Sequence, residues 1–204
     1  MIDRKNQLID FANSSGYKEE DLLEIKNDAS FRNYYRLINH NLLIMDADPA
    51  KGESVSNFAA IDKLLRSLGF SAPEIISIDV DNGFILLEDF GKKSFTELLS
   101  KDNEKDLLKR AVKVLCDLNI KVKSNNKIQS TFDKYSFEKL LAESELFISW
   151  YMEKHLNIMV DDKSKNEFSN ILKSIYKIIS PIQNALVLRD YHVDNLFYLE
   201  ERDY

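Results

Sequence analysis

Residues 188–195 read Leu-Arg-Asp-Tyr-His-Val-Asp-Asn, and this stretch separates the possible fold classes better than any other part of the chain. It places the carboxylate of Asp190 five positions before the amide of Asn195, on a polar turn. The apolar runs on either side, 185–188 and 196–199, are predicted to be short strands. Phosphoryl transfer uses such a pair, because the Asp orients the acceptor hydroxyl and the Asn oxygen binds a Mg²⁺ that bridges nucleotide phosphates. Taken alone, the spacing also fits an Asx-rich β-turn without a function.

The region before residue 91 has the pattern of an antiparallel sheet of four or five strands with one or two helices. Apolar residues before and after the turn at 39–41 predict one hairpin, and Asp81-Asn82-Gly83 predicts a second hairpin that returns through 84–87. Helical spacing predicts helices over 3–13, with Asp3 as N-cap, and over 54–68.

After Gly91 the pattern becomes helical, with helices predicted over 94–100, 104–119, 136–157 and 166–179. The third of these carries Phe147, Trp150 and Tyr151, which we expect in the core, as we do Cys116 on the second. We therefore predict an α+β fold with an N-terminal lobe, residues 1–91, and a helical C-terminal lobe, residues 92–204.

Composition narrows the class of protein further. The chain has 204 residues, a net charge of −6, 44% hydrophobic residues and one cysteine. The single cysteine and the absence of an apolar stretch at the N-terminus favour a cytoplasmic protein without a signal peptide. No run is long enough to cross a membrane, and the acidic balance argues against binding to nucleic acid.

Four segments, taken in order, resemble the aminoglycoside-phosphotransferase-like small-molecule kinases. They are Asp28–Leu37, Leu43–Ala47, Gly83–Gly91 and the segment Arg189–Leu196. Together they are most similar to the anomeric sugar kinases that phosphorylate N-acetylmuramate and N-acetylglucosamine in cell-wall recycling. The resemblance implies a protein-kinase-like two-lobed fold, ATP and Mg²⁺ as cofactors, and an amino sugar as the phosphate acceptor.

The resemblance also implies a role for each matched residue. Asp190 would be the catalytic base and Asn195 a Mg²⁺ ligand, while Arg189 and His192 would shape the loop or touch the acceptor. A turn over the nucleotide phosphates would contain Ser30, Phe31 and Arg32. The hinge between the lobes, where backbone groups meet adenine, would be formed by Glu88, Asp89 and Phe90.

The sequence departs from the pattern of these kinases at three points. Leu188 stands where many kinases have His, the segment 42–45 offers no Lys, and a second metal-binding Asp after Asn195 is not matched. The C-terminal lobe is therefore expected to be incomplete, with apolar helix faces exposed for self-association. This leaves a truncated inactive remnant or a nucleotide-binding pseudokinase as alternatives to an active kinase. An aminoglycoside or a choline-like molecule stays open as the acceptor.

Overall fold

The structure, a computed structural model, describes residues 3–25, 32–125, 128, 134–182 and 185–202. The chain divides into two compact units. The sheet unit contains Met1–Val114 together with Arg189–Tyr204, and the helical unit contains Leu115–Leu188. The division into lobes at residue 91 stays a prediction.

Five antiparallel strands form the sheet in the order β1-β2-β3-β5-β4. The strands are β1 Leu22–Ile25, β2 Arg32–Leu37, β3 Leu42–Ala47, β4 Ile75–Asp79 and β5 Phe84–Glu88. Helices in the sheet unit are α1 Arg4–Ser14, α2 Val55–Ser67, α3 Phe95–Leu98 and the first part of α4 Glu104–Lys123. The predicted α+β class and both hairpins are confirmed. Asp3 is the N-cap of α1, as predicted, and its carboxylate accepts a hydrogen bond from the Lys5 backbone amide.

Strand β5 is buried on both faces, which explains its unbroken apolar run. Phe84 and Leu86 face the core that contains Leu8 and Phe11 of α1. Because side chains alternate along a strand, Ile85 and Leu87 face the opposite core, which contains Val55 of α2. Helices α1 and α2 therefore cover opposite faces of one sheet.

Gly83 is required by the hairpin that joins β4 to β5. Its φ of +72° lies in the left-handed region, and a Cβ there would approach the Ala47 carbonyl oxygen to 2.2 Å. The Ala47 amide donates to the Gly83 carbonyl at 2.9 Å, so this turn is fastened directly to the end of β3.

The prediction of two strands, over 185–188 and 196–199, is wrong. Residues 186–188 have no regular structure, and the second segment forms one isolated bridge, between Phe197 and Ser94. The Phe95 amide donates to the Leu196 carbonyl at 2.7 Å, and the Tyr198 amide donates to the Lys93 carbonyl at 2.9 Å. The segment therefore pairs with the start of α3 instead of with the residues before the polar turn.

The helical unit contains the rest of α4, α5 Phe137–Leu146, a π-helical stretch Phe147–His155 and α6 Asp162–Ile179. Helices α5 and α6 meet through the rings of Phe137 and Tyr176, whose centroids are 5.8 Å apart. The expected burial of Phe147, Trp150 and Tyr151 is wrong, since 49–61% of each is exposed. Cys116 is exposed as well. Helical spacing identifies an apolar face, but it does not say what covers that face.

None of the helices in the described ranges combines the length and the apolarity that crossing a membrane would require.

Candidate active site

The polar turn of residues 189–195 is held to the sheet unit by its apolar members. Tyr191 and Val193 pack with Phe95, Leu107 and Ala111, the buried centre of a core between α3 and α4. The Tyr191 hydroxyl also donates to the Ala111 carbonyl at 2.9 Å. Burial raises the pKa of this hydroxyl, so Tyr191 stays a neutral donor. The alternation of anchored and exposed residues leaves the polar side chains on the outer side of the turn.

Asp190 presents an exposed carboxylate on this turn. Its residue is exposed, and its side chain has no hydrogen-bond partner among the residues that the structure describes. Arg189, the preceding residue, has a φ of +63°. This left-handed backbone conformation is strained for residues other than Gly and Asn. Strain of this kind concentrates at functional sites because the surrounding packing must hold it.

Asn195 closes the turn on itself. Its Nδ2 donates to the Asp190 carbonyl at 3.0 Å and lies 3.2 Å from His192 Nε2. With the amide nitrogen used in this way, Oδ1 is the atom of the side chain that can meet a metal. The turn therefore brings together Arg189, Asp190, His192 and Asn195, the four residues predicted for it.

The predicted hinge, Glu88–Phe90, follows directly from β5. The Glu88 amide donates to the Glu74 carbonyl at 2.8 Å, and the Asp89 amide donates to the Asn41 carbonyl at 2.9 Å. Of the three hinge amides, Phe90 N–H is the one without an acceptor within the described part of the chain. Among hinge donors, Phe90 is therefore the one available to a nucleotide base.

The Asp89 side chain is used within the protein. Its carboxylate accepts from Arg36 Nε and Nη2, and Nη2 also donates to the Gly91 carbonyl at 3.1 Å. The hydrogen bond with the Asp89 carboxylate raises the pKa of Arg36. The ion pair fixes the hinge to β2, and the sequence did not identify it because the partners lie 53 positions apart.

The segment after the turn runs beside the hinge. The rings of Phe90 and Phe197 meet edge to face with centroids 6.1 Å apart. Arg202 donates to both carboxylate oxygens of Glu88, and its guanidinium lies 5.4 Å from the Phe90 ring. The predicted hinge and the segment that follows the polar turn are thus joined within the sheet unit.

Arg32 begins β2 and donates through Nε to Glu53 at 2.8 Å. Its guanidinium also lies 5.9 Å from the Phe58 ring of α2, so part of the predicted phosphate turn is tied to α2. Ser30 and Phe31, the other two residues of that turn, lie outside the described residues.

The set of oxygen donors suits a metal that arrives with a nucleotide. Among the described residues, no three His, Cys, Asp or Glu side chains are grouped so that they could hold a metal ion. Mg²⁺ keeps several waters and is bound by one or two protein oxygens together with substrate phosphates. Asn195 Oδ1, the side-chain oxygen predicted as a Mg²⁺ ligand, fits that sparse pattern.

Comparison with known proteins agrees with this geometry. A family model described as "Phosphotransferase enzyme family" matches residues 21–203. A protein of Pseudomonas aeruginosa named N-acetylmuramate/N-acetylglucosamine kinase is 29% identical over 182 residues, which is 88% of this chain and 52% of that protein. Proteins of the same name from Pseudomonas putida and Neisseria meningitidis are 30% and 28% identical, over 86% and 91% of this chain and 50% and 55% of their own length. The chain spans about half the length of these curated relatives.

Proposed function

The chain belongs to the phosphotransferase enzyme family, and on this premise we propose that it transfers the γ-phosphoryl group of ATP to a hydroxyl of an amino sugar. The acceptor would be of the N-acetylmuramate or N-acetylglucosamine type, by analogy with the names of the relatives. The resemblance of the four matched segments supports the further proposal of a role in cell-wall recycling, and the single cysteine supports a cytoplasmic location. One observation supports the proposal most strongly: an open Asp190 carboxylate on an anchored turn that ends at Asn195.

In the proposed reaction, the acceptor oxygen forms a bond to the γ-phosphorus while the bond from that phosphorus to the β,γ-bridging oxygen breaks. Asp190 orients the acceptor hydroxyl and takes its proton, and the products are ADP and the sugar phosphate. Asn195 Oδ1 would hold Mg²⁺, which when bound neutralises charge on the phosphates. Phe90 N–H would meet the base, and Arg189 and His192 would border the acceptor.

A second candidate is nucleotide binding without transfer. It is favoured by the sparse donor set, since the described residues hold no three-residue acidic or histidine cluster beside the turn. A metal held by Asn195 alone would lack the charge compensation that a second carboxylate supplies.

The first experiment is thermal unfolding with and without Mg-ATP. Binding to the folded state raises the midpoint, by about 2.7 kcal/mol of added stability at ~100 times Kd. We expect Asn195→Ala to remove the magnesium-dependent part of this shift, and Asp190→Asn to keep it. Asp102→Asn, which changes an exposed acid of the same unit, is the control and should behave like the unmodified chain.

Product detection then separates the two candidates. Amino sugars, an aminoglycoside and choline are each incubated with Mg-ATP, and phosphorylated product is measured by ³¹P NMR. A sugar phosphate that is lost in Asp190→Asn supports the kinase. A thermal shift without any product supports nucleotide binding alone, and the absence of any shift contradicts both.

A further inference from the structure

We propose that Thr96, Asp194 and His192 form a relay of positioning residues that holds the Asn195 amide in one orientation. This inference rests on the proposed function, because it concerns how the metal ligand of that site is presented. Neither Thr96 nor Asp194 has a role in the sequence-based description of the site, and neither is predicted to touch a nucleotide or an acceptor.

The relay begins at the amide of Asn195. Nδ2 carries two hydrogens, of which one points to the Asp190 carbonyl at 3.0 Å and the other to His192 Nε2 at 3.2 Å. An amide N–H is only a donor, so His192 Nε2 must be the acceptor. A neutral imidazole that accepts at Nε2 carries its hydrogen on Nδ1. The position of the amide therefore defines the tautomer of His192.

The second half of the relay satisfies that tautomer. His192 Nδ1 lies 3.3 Å from Asp194 Oδ2, so its hydrogen has an anionic acceptor. The other oxygen of Asp194 accepts from the Thr96 hydroxyl. Thr96 lies on α3 beside the buried Phe95, whose amide donates to the Leu196 carbonyl at 2.7 Å. A side chain on a packed element thus orients a carboxylate, which orients the imidazole, which orients the amide.

The consequence concerns which atom of Asn195 faces outward. Rotation of the amide by half a turn would place Oδ1 against the Asp190 carbonyl oxygen and His192 Nε2, two acceptors, and would lose both hydrogen bonds. The relay therefore makes the oxygen the presented atom before any metal arrives. Groups of this kind, one contact removed from a ligand, commonly change metal affinity by about 10–100-fold when they are altered.

The test compares Thr96→Val, which removes the hydroxyl at nearly constant shape, with Thr96→Ser, which keeps it. Mn²⁺ in the presence of ATP is the probe, and its free concentration is followed by EPR. We expect Thr96→Val to weaken Mn²⁺ binding about 3–10-fold, Asp194→Ala about 10-fold or more, and Thr96→Ser to bind like the unmodified chain. Equal affinity in all four proteins would overturn the relay.

A second measurement does not depend on nucleotide binding. ¹⁵N NMR of the unmodified chain reports the His192 tautomer and the Asn195 side-chain amide, the latter assigned by its loss in Asn195→Ala. We expect hydrogen on Nδ1, and an amide signal that moves in Thr96→Val and Asp194→Ala but not in Thr96→Ser. Hydrogen on Nε2, or an amide signal indifferent to both variants, would overturn the proposal. Intact NMR signatures without Mn²⁺ binding would instead contradict the proposed function and leave the relay standing.

Discussion

The sheet unit and the helical unit bury their apolar residues to very different degrees. In the sheet unit, Phe84 and Ile85 of β5 are fully buried, and α1 and α2 cover the two faces of the sheet. In the helical unit, Ile171, Ile175 and Ile178 form a stripe along α6 that is 46–77% exposed. Every described residue of the candidate site belongs to the sheet unit. The candidate site is therefore supported by a unit with a closed core, while the exposed stripe of α6 lies in the helical unit.

The largest expected effect contrasts two phenylalanines. Phe84→Ala empties a fully buried position beside Phe11 and should lower the free energy of unfolding by about 3–5 kcal/mol. Phe147→Ala, at a position 53% exposed in the helical unit, should lower it by less than about 1 kcal/mol. Urea unfolding followed by circular dichroism measures both. Equal losses would mean that the two units do not differ in packing as described.

The second prediction concerns self-association. We expect the chain to associate through the stripe of α6, because contiguous apolar surface of this kind drives association. The double variant Ile171→Lys with Ile178→Lys should weaken association at least about 10-fold in sedimentation velocity. Leu23→Lys, at a position 55% exposed on β1, is the matched control in the sheet unit and should have no effect. A monomeric unmodified chain would refute the expectation.

The third prediction contrasts two aspartates by their pH dependence. Asp62 of α2 is 7% exposed, its Oδ1 has no hydrogen bond with any described residue, and burial raises its pKa above 3.8. A raised pKa means that its contribution to stability is present below pH 3.8 and lost as the pH rises through the folded-state pKa. Asp62→Asn should therefore raise stability at pH 7 by about 1 kcal/mol and have little effect at pH 3.

Asp161, the N-cap of α6 in the helical unit, should show the opposite sign. Hydrogen bonds from Ser164 hold its pKa below the usual value, so its contribution is present at neutral pH and lost as the pH falls. Asp161→Asn should lower the thermal midpoint at pH 7 and approach the unmodified chain in acid. Parallel pH profiles for the two variants would contradict both assignments.

The smallest expected effect compares two matched helix caps. Ser54 caps α2 and Ser136 caps α5, and each Oγ accepts from a backbone amide at 3.3 Å. Each Ser→Ala change should cost about 0.5–1 kcal/mol. The chain has one tryptophan, Trp150, so fluorescence reports the helical unit. We expect Ser136→Ala to move the fluorescence transition and Ser54→Ala to leave it in place, and the reverse result would dispute the division into units.

Local signals in the sequence predicted the elements whose structure is decided locally. Asp81-Asn82-Gly83 required a tight turn, and Asp3 caps the first helix as expected. Strand β1 was not located, because it is a short edge strand with two of its four residues exposed. The π-helical stretch Phe147–His155 was predicted as part of an ordinary helix, since the apolar spacing over so short a length does not distinguish the two.

In the candidate site, too, the residues that lie close together in the sequence were predicted, and their distant partners were not. The Asp190 and Asn195 pair was visible because both residues lie on one short turn. The long-range partners of this turn and of the predicted hinge were not visible, since Thr96 lies 98 positions from Asp194 and Arg36 lies 53 positions from Asp89. Such pairs are created by the folded chain, and no local pattern marks them. Placement of Ser30 and Phe31 stays a prediction.

The hydrogen bond between the Tyr191 hydroxyl and the Ala111 carbonyl has a consequence for the order of events during synthesis. It joins positions that are 80 residues apart, and the helical unit lies between them in the chain. Closing a flexible loop of that length costs about 4 kcal/mol of entropy. A helical unit that has already folded shortens the flexible part and reduces this cost. Strands β1–β5 precede the helical unit in the chain and the polar turn follows it, so on the ribosome the turn would reach its place only after both had emerged.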